Sequence, residues 1–215
     1  LSGTLPTPRV KDLQEANAAL RRLIQAEATI TIKSVPLDRL RLLLFRDSSL
    51  GNAGGGSSEL GHMVCAADKS ILEGQEADVC VLAYHSHKVD RARSSTLLVE
   101  SNAMSESLAD AEWVATWMGL CKDLNYDMRK RHLLNREIQV QSLYTTKEDG
   151  LDLATITDAK SLYDNLMQQQ YTGAEKRAAL EICVIRDSLD SMGGRARWVP
   201  HDRNPADPLT KLKGN

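Results

Sequence analysis

Residues Leu40 to Phe45 read Leu-Arg-Leu-Leu-Leu-Phe, apolar on both faces of an extended chain. A strand of that kind needs cover on both sides, which places it in the middle of a sheet rather than at a solvent-facing edge. In a chain of 215 residues this points to one large domain, or one domain with an added arm, built around a central sheet.

The segments on either side extend that reading. Residues 10–26 have helical spacing, with Leu13, Ala16, Ala19, Leu20 and Leu23 on one face, and Thr29 to Ile32 alternate as a short strand. After Phe45 the chain meets Arg46-Asp47-Ser48-Ser49 and a glycine-rich run, Gly51 to Gly56. No Gly-Lys-Ser/Thr follows that run, so it reads as a linker or hairpin tip and not as a phosphate-binding loop. Gly61 to Ala67 and Val79 to Tyr84 are spaced as the next strands of an antiparallel meander. Ser94-Ser95-Thr96 supplies cap chemistry for a long helix over roughly 96–124. Strands follow near Ile138–Leu143 and at Leu153–Thr157, then helices near 159–169 and 174–191, a last strand at Ala196–Val199 and a terminal helix. The expectation is a mixed α/β layout with a central sheet, flanking helices and an N-terminal helical extension.

Composition narrows the function classes. Three Trp, five Tyr and one Phe are few for a base-stacking platform. No apolar stretch is long enough to span a membrane, no basic-then-apolar leader opens the chain, and a start at Leu1 suggests a piece of something longer. Cys65, Cys80, Cys121 and Cys183 are widely spaced without a Cys-x-x-Cys pair, which fits buried free thiols in a reducing compartment better than a zinc site. A net charge of −2 does not announce a nucleic-acid binder. The basic charge is clumped, however, at Lys88, Arg91 and Arg93 and again over residues 129–136, as solvated faces or as a track for phosphates.

Four acids stand out. Asp47 ends one apolar run, and a strand followed by Asp-Ser-Ser could simply turn there. Asp158 closes the second apolar run, either as a helix N-cap or at the strand end where α/β sheets bind ligands. Asp207 precedes Pro208, a cap arrangement in its own right. On the long helix Glu100 falls in line with Leu97, Met104, Leu108, Ala111, Ala115 and Met118, whereas Glu106 and Asp110 point away as surface acids. An acid in an apolar stripe is either paired with Lys or Arg or bound to a metal. Together, acids converging without a basic partner suggest divalent cations and phosphate chemistry.

The motifs around these acids resemble the ribonuclease H region of copia-type LTR retrotransposon polyproteins, preceded by the tail of the reverse transcriptase. Residues 16–23 resemble the helix before that domain. Asp47-Ser48-Ser49 resembles its Asp-Ala strand end, and residues 58–64 its Ser-x-x-Gly-Tyr-Val strand. Ser86-His87-Lys88, Ser94-Ser95-Thr96 and Glu100 match its Ser-Lys-Lys…Ser-Ser-Thr-Glu-Ala-Glu spacing, which also selects Glu100 over Glu106. Asp158-Ala159-Lys160-Ser161 is similar to its Asp-Asn-x-Ser segment. Trp198-Val199-Pro200 through Asn204-Pro205-Ala206-Asp207-Pro208-Leu209-Thr210-Lys211 resembles the closing Val-Pro…Ala-Asp…Thr-Lys. The likeness runs in order along nearly the whole chain. Departures are Glu175-Lys176-Arg177 in place of Thr-Lys-His, so that histidine's role has no carrier here, Leu97-Leu98 before Glu100, and Ala159 in place of Asn.

The resemblance implies an α/β, ribonuclease H-like domain with a five-stranded mixed central sheet flanked by helices over residues 37–215, with residues 1–36, the N-terminal helix and strand, belonging to the reverse transcriptase tail. It implies an endonuclease that hydrolyses the RNA strand of RNA–DNA hybrids, in the cytoplasmic virus-like particle of a retroelement, with the reverse transcriptase of the same polyprotein as partner. Asp47, Glu100, Asp158 and Asp207 would hold two Mg²⁺ or Mn²⁺ ions. Asp47 would bridge them, Glu100 and Asp158 would complete the site nearest the leaving group, and Asp207 would support the attacking water. His201 would aid product release or proton transfer, or is only a turn histidine beside Pro200. Lys88, Arg91, Arg93 and Ser161 would contact the hybrid, whose RNA strand is told apart by its 2′-hydroxyls. The rival readings are an inactive ribonuclease H-like module that positions nucleic acid or serves a structural role in a polyprotein, and a structural α/β domain whose acids are caps and surface salt bridges. A transposase or resolvase is disfavoured by the order of elements and by the closing motif.

Overall fold

The computed structural model describes residues 9–27, 29–36, 38–53, 57–88, 95–122, 153–168 and 175–211. Its elements are α1 (Val10–Gln25), β1 (Leu40–Ala53), β2 (Ser57–Asp68), β3 (Val79–Lys88), α2 (Thr96–Lys122), β4 (Leu153–Thr157), α3 (Lys160–Met167), α4 (Lys176–Met192) and β5 (Arg195–Trp198). The strands form one five-stranded sheet in the order β3-β2-β1-β4-β5. The β1–β2 and β2–β3 pairs are antiparallel; β1–β4 and β4–β5 are parallel. That order, with its change of direction at β1, is the ribonuclease H-like arrangement expected from the sequence.

Leu40–Phe45 does lie in the middle of the sheet. Leu42 and Leu44 are 1% and 0% exposed and pack with Met104, Leu108 and Ala111 of α2, Leu162 of α3, and Ile182 and Ile185 of α4. Each such burial stabilises the fold by roughly 1.5–3 kcal/mol. On the opposite face Leu43 joins Cys65, Ala154 and Ile156, covered by Phe45, Ile71, Leu72 and Val199. Ser95 caps α2 as its sequence suggests: Leu98 N–H donates to Ser95 Oγ at 3.1 Å. β1 and β2 pair antiparallel, with an irregularity between Ser49 and Ala53 and a further pair at Ala53 and Ser57. Gly51 of the glycine-rich run lies within β1, and residues 54–56 lie outside the described residues.

Several expectations are corrected. Thr29–Ile32 forms no strand; Ile30 and Ile32 stand 66% and 70% exposed, and alternation alone gives a segment no partner to pair with. The helix over 10–26 forms, yet none of its residues is buried, and Leu13, Leu20 and Leu23 remain exposed. β1 continues beyond Phe45, which puts Asp47 inside the strand and not at its end. The closing segment holds two short 3₁₀ turns, His201–Arg203 and Asp207–Leu209, in place of a terminal helix. All four cysteines are free, with Cys65 and Cys80 buried but Cys121 and Cys183 exposed. The strand expected near Ile138–Leu143 lies outside the described residues.

Candidate active site

Asp47 sits opposite Gly61 across the β1–β2 ladder, and Gly61 sits opposite Ser86 on β3. This row receives the closing segment. A Cβ on Gly61 would come within 2.5 Å of Leu209 Cβ, so a side chain there would push the segment off the sheet. Ser86 Oγ donates to the Leu209 carbonyl at 2.6 Å, and Thr210 Oγ1 donates to Asp47 Oδ2. Asn204, buried, donates from Nδ2 to the Arg46 carbonyl at 2.9 Å and accepts from Ala206 N–H at 3.1 Å. The Asn-Pro-Ala-Asp…Thr motif is thus a clasp that lays its acid beside β1.

Asp158 follows β4 directly. It is not a cap: the residue before α3 is Ala159, with no side-chain cap bond. Its carboxylate turns instead to His201, whose Nδ1 donates to Asp158 Oδ2 at 2.6 Å. Ala159 N–H donates to Thr157 Oγ1 at 3.0 Å and Trp198 Nε1 donates to the Asp158 carbonyl at 3.0 Å, which fixes the backbone on both sides of the acid. Asp207 opens its 3₁₀ turn without acting as its N-cap. His201 Nε2 lies 3.0 Å from Asp207 Oδ1, and Lys211 pairs with Asp207 Oδ2. Asp207 Oδ1 is buried and makes no hydrogen bond.

Glu100 is buried in the helix stripe, as its phase requires, and its partner is Arg46. Arg46 is 0% exposed; Nη1 donates to Glu100 Oε2 and Nη2 to Thr157 Oγ1 at 2.6 Å. The expectation of acids without a basic partner therefore fails at Glu100, paired with Arg46, and at Asp207, paired with Lys211. Arg46, Asn204, Thr157 and Thr210 are the residues that sequence reasoning did not assign. Asn204 and Thr210 stood within the closing motif, and Arg46 stood beside Asp47, so the signal was adjacency to an acid.

The ligand atoms of Asp47, Asp158 and His201 all lie within 4.8 Å of one another. Burial first, then the charges of Asp158, Glu100 and Asp207, push Asp47 up to about 6, against the lowering effect of the Thr210 hydroxyl. All three other acids thus act on Asp47. His201 is raised, chiefly by its bond to Asp158 and then by the Asp207 charge. A buried carboxylate this reluctant to ionise, an Asp207 oxygen without a hydrogen bond and a set of mostly oxygen donors suit a hard divalent cation, which would relieve all of these at once.

Of the residues expected to touch substrate, Lys88 ends β3 opposite Glu59 and Ser161 lies exposed in the first turn of α3. Arg91, Arg93 and the basic run over 129–136 fall outside the described residues. Among the described residues no helix is long and apolar enough to cross a membrane.

No protein-family model and no curated protein sequence matches this chain. Solved structures do. Ribonuclease H1 of the halophilic archaeon Halobacterium salinarum is 13% identical over 79% of this chain and 93% of its own, with a TM-score of 0.47. The N-terminal RNase H domain of a Mycobacterium tuberculosis protein is 17% identical over 80% and 91%, with a TM-score of 0.48. The foamy viral protease–reverse transcriptase, in complex with an RNA/DNA hybrid, is 11% identical over 85% of this chain and 21% of that one, with a TM-score of 0.46. Strand order and direction, not likenesses this distant, define the fold.

Proposed function

We propose that this chain is a ribonuclease H-type endonuclease that cleaves the RNA strand of an RNA–DNA hybrid, within a copia-type retroelement polyprotein. The observation that carries the reading is the convergence of Asp47, Asp158 and His201 within 4.8 Å, on a ribonuclease H-like sheet and with Asp207 against the same imidazole. Asp47, Asp158 and Asp207, with Glu100 when released from Arg46, are the residues that would hold Mg²⁺ or Mn²⁺, two ions in all. Such ions supply an activated water and charge neutralisation at the scissile phosphate.

The chain's own residues do the rest. Thr210 orients the Asp47 carboxylate through its hydroxyl. Asn204 and Gly61 hold the Asp207 segment close to β1. His201, 65% exposed, stands at the mouth of the cluster between Asp158 and Asp207, where its proton can pass to a leaving oxygen. Lys88, Arg91, Arg93 and Ser161 bind the hybrid's backbone. Residues 1–36 form the reverse transcriptase tail and residues 37–215 the nuclease, working in the cytoplasm.

The test is cleavage of an end-labelled RNA–DNA hybrid by the full chain with Mg²⁺ or Mn²⁺, beside Asp158→Asn. Metal-dependent cutting of the RNA strand alone, lost in the variant, is expected. Equal inertness of both proteins sinks the enzyme reading. The inactive-module alternative starts from the buried Arg46, which already neutralises Glu100. Under that alternative hybrid binding survives without cleavage.

A further inference from the structure

Among the described residues a second group gathers three potential ligand atoms within 4.8 Å: His62, His85 and Asp110. It belongs to the opposite face of the sheet from Asp47. His62 on β2 pairs directly across the ladder with His85 on β3, one register step from the Gly61–Ser86 pair beneath the closing segment. Successive residues of a strand point to opposite faces, so the two histidines face α2 while Gly61 and Ser86 face the clasp. Asp110 comes down from α2. The helix position that reads as surface in the sequence is therefore aimed at imidazoles.

The arrangement exceeds what a simple hydrogen bond needs. His62 Nε2 is 2.8 Å from Asp110 Oδ2, and His85 Nδ1 stands 3.8 Å from the same oxygen, beyond hydrogen-bond range. The His62 and His85 rings meet edge to face at 5.7 Å, and the His87 ring lies 4.7 Å from that of His85. His87 repeats the pattern one step along, with Nε2 3.2 Å from Glu106 Oε2, one helical turn before Asp110. Ligands at about 2.0–2.1 Å around a tetrahedral ion stand about 3.3 Å apart, so changes of at most about 1.5 Å in separation bring all three atoms, now within 4.8 Å of one another, onto one centre. His62 is buried beneath α2, which shields that side of the site from solvent.

The geometry points to a metal site separate from the acid cluster, in which His62, His85 and Asp110 hold one borderline transition-metal ion of the Zn²⁺ class. Two imidazoles and one carboxylate select such an ion over Mg²⁺, which prefers all-oxygen surroundings. Three protein ligands leave one position for water or an outside ligand. The ion would clamp edge strand β3 and β2 to α2, steadying the strands that also carry Gly61 and Ser86.

The full chain, stripped with EDTA, is titrated with Zn²⁺ and, as an optical probe, with Co²⁺, alongside Asp158→Asn, His85→Ala and Asp110→Asn. His85 and Asp110 are both half exposed, and metal-free melting of each variant checks that it folds. The expected result is a Zn²⁺ equivalent, with tetrahedral Co²⁺ absorption, that persists in Asp158→Asn and weakens at least tenfold in His85→Ala and Asp110→Asn. The inference is overturned if the folded His85→Ala protein binds as wild type does, or if Asp158→Asn abolishes the signal. Neither result bears on hybrid cleavage in Mg²⁺, so the two readings stand or fall apart.

Discussion

Arg46 and Glu100 form an ion pair sealed between β1 and α2, one residue from Asp47. Arg46 has no exposure at all; its second amino group reaches Thr157, and its Nε has no hydrogen-bond partner. The guanidinium thus ties together the strand carrying Asp47, the helix carrying Glu100 and the strand leading to Asp158. A pair this enclosed loses hydration on both sides, and its net contribution depends on both partners staying in place.

Removing one partner should therefore cost far more than removing both. Arg46→Met leaves a buried unpaired carboxylate and Glu100→Gln a buried unpaired guanidinium, each expected to destabilise by about 3–5 kcal/mol. The double variant should recover most of that loss. Urea unfolding of the four proteins in EDTA measures the coupling. Additive single losses would mean that the two residues do not act as a pair.

The same contact ranks the acids as metal ligands. Glu100 enters metal binding only by giving up Arg46, whereas Asp158 need only release His201. The rise in melting temperature on adding Mn²⁺ should be abolished in Asp158→Asn, reduced less in Glu100→Gln, and larger than wild type in Arg46→Met. Differential scanning fluorimetry with and without Mn²⁺ reads all four. A Glu100→Gln loss as complete as that of Asp158→Asn would place Glu100 among the primary ligands despite its arginine.

Much of this layout is legible in the sequence. Leu40–Phe45 announced a central strand because apolar side chains on both faces need two layers of cover. Glu100 was separable from Glu106 because helical phase is a local property that the chain carries with it. What could not be read was pairing between distant segments. Arg46 looked like the end of an apolar run, and only the α2–β1 packing shows that it consumes Glu100's charge. Asp158 had an equally good local use as a helix cap, and a contact with His201 across 43 residues decided otherwise. His62 and His85 became neighbours through strand register, which no local pattern encodes.

Gly61 gives a test of the clasp that leaves every acid untouched. Its missing side chain admits Leu209 and Thr210, with Thr210 Cγ2 at 3.1 Å from where a Cβ would stand. Gly61→Ala should destabilise by about 1–3 kcal/mol through overpacking. It should also shrink the Mn²⁺-induced rise in melting temperature, because displacing Leu209 and Thr210 moves Asp207 and loosens the hydroxyl on Asp47. Melting curves with and without Mn²⁺ check both effects. Wild-type behaviour in both would show that the segment seats elsewhere.

The raised proton affinity of Asp47 gives stability a pH dependence of definite sign. Burial, then the charges of Asp158, Glu100 and Asp207, lift it from 3.8 to about 6 in the fold. Between those values the folded protein holds a proton that the unfolded chain has released. Its contribution is fully present below pH 3.8 and is lost as pH rises through about 6. Above that the ionised Asp47 destabilises the metal-free fold, on the order of 3 kcal/mol. Asp47→Asn keeps an acceptor for Thr210 without the charge. In EDTA it should melt higher than wild type at about pH 7.5, and this advantage should vanish near pH 4. Divalent ion should erase the advantage from the other direction, by stabilising wild type alone. Melting temperatures of the two proteins across that pH range, with and without Mg²⁺, decide the matter. An advantage that grows towards low pH would reverse the sign and remove the case for mutual repulsion among the acids.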